Sequence, residues 1–370
     1  MIENNNSAAL IDVLSSDKIL PFAKFLDDPN IINVGWTGSD LWVEDVNLKK
    51  IHIPNDEHTI TPQFINKFVT NVRNSKENGK FSKESPVLEA ETDKYRIECL
   101  HESVSSSGNI VLIRKITETP RLNYENMIKD GYCEKEVLNF LINACYARKR
   151  IIIGGEPGVG KTELGKYLSL YIPNSERVVT IEDQFEFHYR ELKPSADGIA
   201  LRITKNFGYA EALKSCLRLD VNRVIMSEVR GVEVRQLIEL WNSGASGITS
   251  LHTDDSRKIA DRILSMMPTR FDAERLENSV YENLDIGILL NRKYQTDAEG
   301  NIIFTEWKRY IEQICLYVRE NGKNKQYLIV ENGKLQTKNL PKEYLHTQEK
   351  YKIEDMFVLN ERVKRSGYFE

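Results

Sequence analysis

Residues 150–162 read Arg-Ile-Ile-Ile-Gly-Gly-Glu-Pro-Gly-Val-Gly-Lys-Thr, an apolar run that passes straight into the pattern G-x-x-x-x-G-K-T. A strand that must deliver a glycine-rich turn and then a helix restricts the surrounding chain to an α/β arrangement. Gly155, Gly158 and Gly160 let the backbone curl so that successive N–H groups point inward, a geometry suited to phosphate oxygens. Lys161 adds a point charge for β- and γ-phosphates, and the Thr162 hydroxyl suits a Mg²⁺ ion. Residues 162–170 have helix-forming character, so phosphates held by the loop would meet a helix N-terminus. The stretch from Gly155 to Glu163, with Glu156, Pro157 and Val159 included, is therefore the expected seat of a nucleoside triphosphate. ATP and Mg²⁺ are the expected ligands.

A chain of 370 residues should hold about two domains. Its 41% apolar and 29% charged content excludes general disorder. A formal net charge of −4 gives no global bias toward nucleic acid or anionic lipid, so nucleic acid is not expected as a direct ligand. The first six residues are polar and acidic, and no apolar run nears the ~20 residues that span a bilayer. The expected location is cytoplasmic, with any membrane association peripheral and made through a partner. Cys99, Cys133, Cys145, Cys216 and Cys315 form no C-x-x-C pair. They read as small core residues in a reducing compartment, with no zinc site implied.

Residues 1–118 read as a small α+β domain. Apolar residues at helical spacing over 10–26, interrupted by Pro21, predict two short helices. Strands are expected at 31–36 and 41–44, joined by a turn at 37–40, and again at 95–100 and 110–116. Between them, Thr61-Pro62 marks a helix start, with Phe64, Phe68, Val69 and Val72 on one apolar stripe. Residues 119–132, polar and containing Pro120, read as a linker. The larger domain, 133–370, starts with a helix at 134–148 that should bury Val137, Leu138, Leu141, Ile142 and Cys145 on one face. Short apolar strands at 151–153, 178–181, 224–227, 248–251 and 286–290 then alternate with helices. That alternation predicts a mostly parallel sheet with helices on both faces. Residues 312–318 and 327–330 read as an antiparallel C-terminal extension, with a turn at 331–334.

Parallel strands end on one rim, where ligands of such sheets bind. Glu182 and Asp183 follow the strand at 178–181, with Glu186 just beyond, and Glu228 follows the strand at 224–227. Two acids in order behind a phosphate loop suit anchoring of Mg²⁺ and activation of an attacking water. His252 ends the strand at 248–251 on the same rim, a position suited to sensing the γ-phosphate. Arginines are abundant, and transition-state charge on a phosphoryl group rewards a nearby guanidinium.

At these residues the chain resembles the type II/type IV secretion traffic ATPases, the hexameric motors of secretion systems, conjugation machines and pili. Four ordered blocks carry the resemblance. They are Gly155 to Thr162 (Walker A), Thr180-Ile181-Glu182-Asp183-Gln184-Phe185-Glu186 (Asp box), Leu217-Arg218 through Ser227-Glu228-Val229-Arg230-Gly231 (Walker B), and Asn242-Ser243-Gly244 through Thr249-Ser250-Leu251-His252 (His box). The resemblance implies a RecA-like P-loop NTPase domain preceded by a smaller PAS-like α+β domain. It also implies a cytoplasmic ATPase that assembles as a homohexameric ring on integral membrane proteins of a secretion or pilus machine. In that role Glu228 is the catalytic carboxylate, with Glu182, His252 and Lys161 beside it. Thr162, Asp183 and Glu186 serve the metal, and Arg114 or Arg96 reaches the nucleotide. The sequence departs from the family pattern at Ala245, where the first His-box histidine is usual, and at Ser227, Glu163 and Pro157. The competing readings are a DNA translocase or helicase-like ATPase, and a nucleotide-binding scaffold with weak turnover.

Overall fold

Alternation of buried and exposed side chains organises the first of two compact units, which comprises the described residues up to 116 together with Tyr294–Trp307. The computed structural model describes residues 20–46, 49–54, 57, 59–76, 79–92, 94–116, 121–267, 273–297 and 299–366. Strands β1 (Ile31–Trp36), β2 (Leu41–Asp45), β3 (Lys50–Ile53), β4 (Val87–Glu91), β5 (Tyr95–Leu100) and β6 (Ile110–Lys115) pair antiparallel in the order β3-β2-β1-β6-β5-β4. One face packs Val34, Trp36, Leu41, Ile97 and Ile113 against the helix Pro62–Asn74. That helix starts as the sequence predicts: the Thr61 hydroxyl accepts the Phe64 N–H at 3.2 Å, and Phe68, Val69 and Val72 are buried.

Three readings of this unit change. Pro21 does not break a helix but occupies the first turn of Leu20–Leu26, where its missing N–H costs nothing. The expected earlier helix lies outside the described residues. Strands β3 and β4 were not expected, because Lys50-Ile51-His52-Ile53 and Val87-Leu88-Glu89-Ala90-Glu91 are short and polar, as edge strands are. Residues 294–307, read as part of the 133–370 domain, group with this unit.

The second unit comprises the described residues 121–293 and 308–366. Its sheet centres on β7 (Ile151–Gly154), which pairs parallel with β11 (Ser246–Leu251) on one side and β12 (Ile286–Thr296) on the other. Parallel pairing continues from β11 through β10 (Arg223–Met226) and β8 (Val178–Glu182) to the edge strand β9 (Gly198–Arg202). Beyond β12 the sheet continues through β13 (Ile302–Glu320), β14 (Lys323–Glu331) and β15 (Lys334–Leu335). The β13/β14 and β14/β15 pairs are antiparallel. Ile151, Ile153, Val178 and Ile225 enter the core on one face of the sheet. Ile152, Val179, Ile181, Val224 and Met226 enter the core on the other. Burial on both faces is why these strands read as continuous apolar runs.

Two helical readings also change. The helix Lys135–Tyr146 is buried continuously from Val137 to Cys145 rather than along one face. Its outer side is covered by the C-terminal segment, to which Asn139 and Asn143 donate: the Phe357, Met356 and Val358 carbonyls lie at 3.0, 2.9 and 2.8 Å. Within 119–132, residues Tyr124–Lys129 form a helix. Asn123 caps it by accepting the Asn126 N–H at 2.9 Å, and Met127 is buried. All five cysteines are buried thiols. Among the described residues no helix is long and apolar enough to cross a membrane.

One charge pins the sheet to its helices. Arg223, 1% exposed at the start of β10, donates to the Cys145 carbonyl at 2.7 Å and the Tyr146 carbonyl at 3.1 Å, and pairs with Glu176. Removing one partner of such a network strands the others in a low-dielectric interior. Arg223→Ala is expected to destabilise this unit by about 3–5 kcal/mol, read as a lower chemical-unfolding midpoint. An unchanged midpoint would remove Arg223 from the scaffold's supports.

Candidate functional site

The β7 strand ends at Gly154, and the loop turns through Gly155, Gly158 and Gly160 at φ 141°, 76° and 97° before the helix Lys161–Ser169 begins. At Gly155 a Cβ would lie 2.6 Å from the Leu290 carbonyl oxygen, so a side chain fails there on space as well as backbone conformation. Lys161 curls back over the loop. Its Nζ donates to the Gly155 and Glu156 carbonyls at 2.9 and 3.1 Å and lies 3.3 Å from His252 Nδ1. Burial pulls its ammonium below the usual lysine range; the Glu228 charge opposes this and that of Arg230 adds to it. Thr162 stands half-buried in the first helical turn. Glu163 is engaged within the protein, accepting the Arg121 N–H at 3.2 Å and pairing with Lys166 at 3.6 Å.

The rim beside this loop is built by strand register. Ile225 pairs with Ile248 and Met226 with Ile181, so β11, β10 and β8 release their next residues side by side. Close approach of β10 and β11 requires Gly247, where a Cβ would lie 1.7 Å from the Val224 carbonyl oxygen. Past the strands, Val229 N–H donates to Ser250 O at 2.8 Å, and the Ser250 hydroxyl donates to Ser227 O at 2.6 Å. These bonds bring His252 and Glu228 together: His252 Nε2 lies 3.0 Å from Glu228 Oε1. The other carboxylate oxygen accepts from Arg230 Nη2 at 3.0 Å, and Arg230 Nη1 lies 3.9 Å from Asp183 Oδ2.

His252 Nδ1 faces both a donor, Lys161 Nζ at 3.3 Å, and an acceptor, the Gly155 carbonyl at 3.1 Å. Lys161 has three N–H donors and three acceptors in reach: two loop carbonyls and His252 Nδ1. A proton on Nε2 points at Glu228 in two forms: the neutral ring whose Nδ1 accepts from Lys161, and the imidazolium whose Nδ1 donates to the Gly155 carbonyl. Lys161, His252, Glu228 and Arg230 form one continuous row of polar contacts across the ends of β7, β11 and β10.

The remaining predicted acids separate by environment. Glu182 is buried at the end of β8, and its Oε2 accepts the Glu186 and Phe187 N–H groups at 2.7 and 2.9 Å. Its Oε1 has no protein partner. It closes the loop that carries Asp183 and Glu186 and does not join the Lys161–Arg230 row. Asp183 is exposed, accepting the Gln184 N–H at 3.0 Å, and Glu186 is half-buried. Arg96 and Arg114 belong to the first unit, directly opposed across β5 and β6, with Arg96 3.9 Å from Glu91. Sequence reasoning missed Arg292 altogether. From β12 it donates to the Pro157 carbonyl at 2.8 Å and steadies the loop, and only the fold brings it across 135 residues.

Burial pushes the Glu182 carboxyl up to about 7 from an ordinary 4.5, against the lowering effect of its two backbone hydrogen bonds. The folded state therefore binds the extra proton between those values. Its contribution to stability is complete below about 4.5 and is lost as pH rises through about 7. Glu182→Gln keeps an acceptor for both N–H groups and cannot ionise. It is expected to remove about 3 kcal/mol of the loss of stability between roughly pH 5 and 8, measured as unfolding midpoint against pH. Parallel curves for the two proteins would refute the buried-proton account.

The family model described as Type II/IV secretion system protein matches residues 88–357. An uncharacterized protein of Bacillus anthracis is 27% identical over 296 residues, 79% of this chain and 66% of that protein. Type IV secretion system protein VirB11 of Bartonella quintana (strain Toulouse) is 32% identical over 167 residues, 41% of this chain and 46% of that protein. The chain thus spans 66% and 46% of the length of these two relatives. Among solved structures, the pilus retraction motor PilT with bound ADP covers 91% of this chain and 88% of its own, at 16% identity and a TM-score of 0.58. That likeness speaks for the fold. With one family model running from β4 to Phe357 and the phosphate loop, acids and histidine in order inside it, the chain belongs to the type II/IV secretion system protein family.

Proposed function

We propose that this protein is a Mg²⁺-dependent ATPase that drives a secretion, conjugation or pilus machine as a cytoplasmic hexameric ring docked on integral membrane proteins. The observation that carries the reading is the unbroken row from Lys161 through His252 to Glu228, with contacts of 3.3 and 3.0 Å. A half-buried, self-satisfied ammonium over glycine-turned amides suits exchange of the loop's own carbonyls for β- and γ-phosphate oxygens. Glu228 then orients the attacking water and receives its proton, while His252, bonded to both Lys161 and Glu228, passes the phosphate state from one to the other.

The donors fit Mg²⁺ held largely by the nucleotide. Thr162 offers a hydroxyl, and Asp183 and Glu186 offer carboxylates nearby in sequence to the rim. Among the described residues no three His, Cys, Asp or Glu side chains converge into a cage of their own. The ion would neutralise charge developing on the transferred phosphoryl group. Arg96 and Arg114 are the first unit's donors to nucleotide in this reading, and Glu182 holds the loop of Asp183 and Glu186. Head-to-tail contacts that close a ring would give each nucleotide two neighbours, and unequal affinity for ATP and ADP would supply the work.

Steady-state phosphate release tests the chemistry. Lys161→Ala is expected to lose tight ATP binding. Glu228→Gln is expected to keep binding and lower kcat by about 10²–10⁴-fold; unimpaired turnover in Glu228→Gln would overturn the assignment. With ATP and Mg²⁺, light scattering should report six copies per particle, and a monomer at high concentration would exclude the ring.

A further inference from the structure

Arg230 has no part in the roles assigned above, yet its guanidinium is placed with unusual care. Its backbone is fixed on both sides. Glu233 Oε1 accepts the Arg230 and Gly231 N–H groups at 2.8 and 2.9 Å, and the neighbouring Val229 is tied to β11. From that anchored turn the side chain folds back to Glu228 Oε2 at 3.0 Å and toward Asp183 at 3.9 Å. An exposed arginine paired with an exposed acid contributes little. Here the arginine side chain is 67% exposed but its partner Glu228 only 14%, so the pair is sheltered at the end that matters. The bond to Glu228 raises the guanidinium's already high affinity for its proton.

We propose that Arg230 is a positioning residue of the hydrolytic site: it holds one oxygen of Glu228 while His252 holds the other. A carboxylate gripped on a single oxygen can still rotate about its terminal bond and swing. Gripped on opposite oxygens by groups from two different strand ends, it has its plane and its reach fixed. Arg230 also sits between two acids of like charge, Glu228 and Asp183, and offsets the repulsion that would part them. The proposal rests on the ATPase reading, with Glu228 as the group that acts on water.

Kinetics of the full chain separate it from that reading. Arg230→Ala is expected to lower kcat about 10- to 100-fold, with the ATP dissociation constant within about threefold and the thermal midpoint unchanged. Arg230→Lys, which can still reach one oxygen, is expected to recover part of the loss. Because both residues act through one carboxylate, the double variant Arg230→Ala/Glu228→Gln should be no slower than Glu228→Gln alone. A wild-type protein with no Lys161-dependent phosphate release would remove the ATPase reading itself. Wild-type hydrolysis that is lost in Glu228→Gln but kept in Arg230→Ala overturns the proposal alone. So do additive losses in the double variant, or an effect confined to KM.

Discussion

Parallel pairing of β7, β11, β10 and β8 obliges four strands to end on the same edge, and the chemistry follows from that obligation. Each strand is only four to six residues long and buried throughout, so none can reach solvent until it ends. Polar groups are thereby expelled to the rim. A glycine loop, an acid and a histidine fall within hydrogen-bond distance there because β7, β11 and β10 are neighbours, although Lys161 and His252 lie 91 residues apart. A one-residue slip of register would turn every side chain of the strand to the opposite face and move its rim group out of line with its neighbours.

Charge at that rim is arranged in alternation. Lys161, His252, Glu228, Arg230 and Asp183 follow one another so that each acid has a donor at its side. In the proposed function a polyanionic nucleotide would compete for Lys161 first, since that ammonium is partly desolvated and bound mainly to neutral carbonyls. In the proposed ATPase reading, the geometry that stabilises the row without nucleotide would also register nucleotide arrival.

Much of this was legible from residue order because local chemistry dictated it. The loop glycines, the five apolar strands and the Thr61-Pro62 helix start are patterns of neighbours in sequence. What escaped reading depended on neighbours in space. The helix Lys135–Tyr146 looked amphipathic because the chain that covers its far side lies more than 200 residues away. Glu182 and Glu228 each sit at the carboxyl end of a β-strand, yet one turns inward to close its own loop and the other outward to His252. The distinction lies in the Glu186 and Phe187 amides that capture Glu182, which no alternation of apolar residues reveals. Strands β3, β4 and β9 are only four or five residues long and partly exposed, too short for a periodic pattern in sequence to mark them.

The departures from the family pattern fall where the rim does not need them. Ala245, standing where a first His-box histidine is usual, precedes β11, whereas His252 follows it. Along an extended strand these positions lie about 20 Å apart, at opposite edges of the sheet. Ala245 is buried in the same core cluster as Trp241, so its side chain serves packing rather than the phosphate site. Ser227 supplies the rim with its carbonyl, which accepts the Ser250 hydroxyl, and that bond is indifferent to whether residue 227 carries a side chain. Glu163 turns to Arg121 and Lys166, within the protein. The substitutions therefore alter the periphery of the site while the Lys161–His252–Glu228 row keeps its contacts intact.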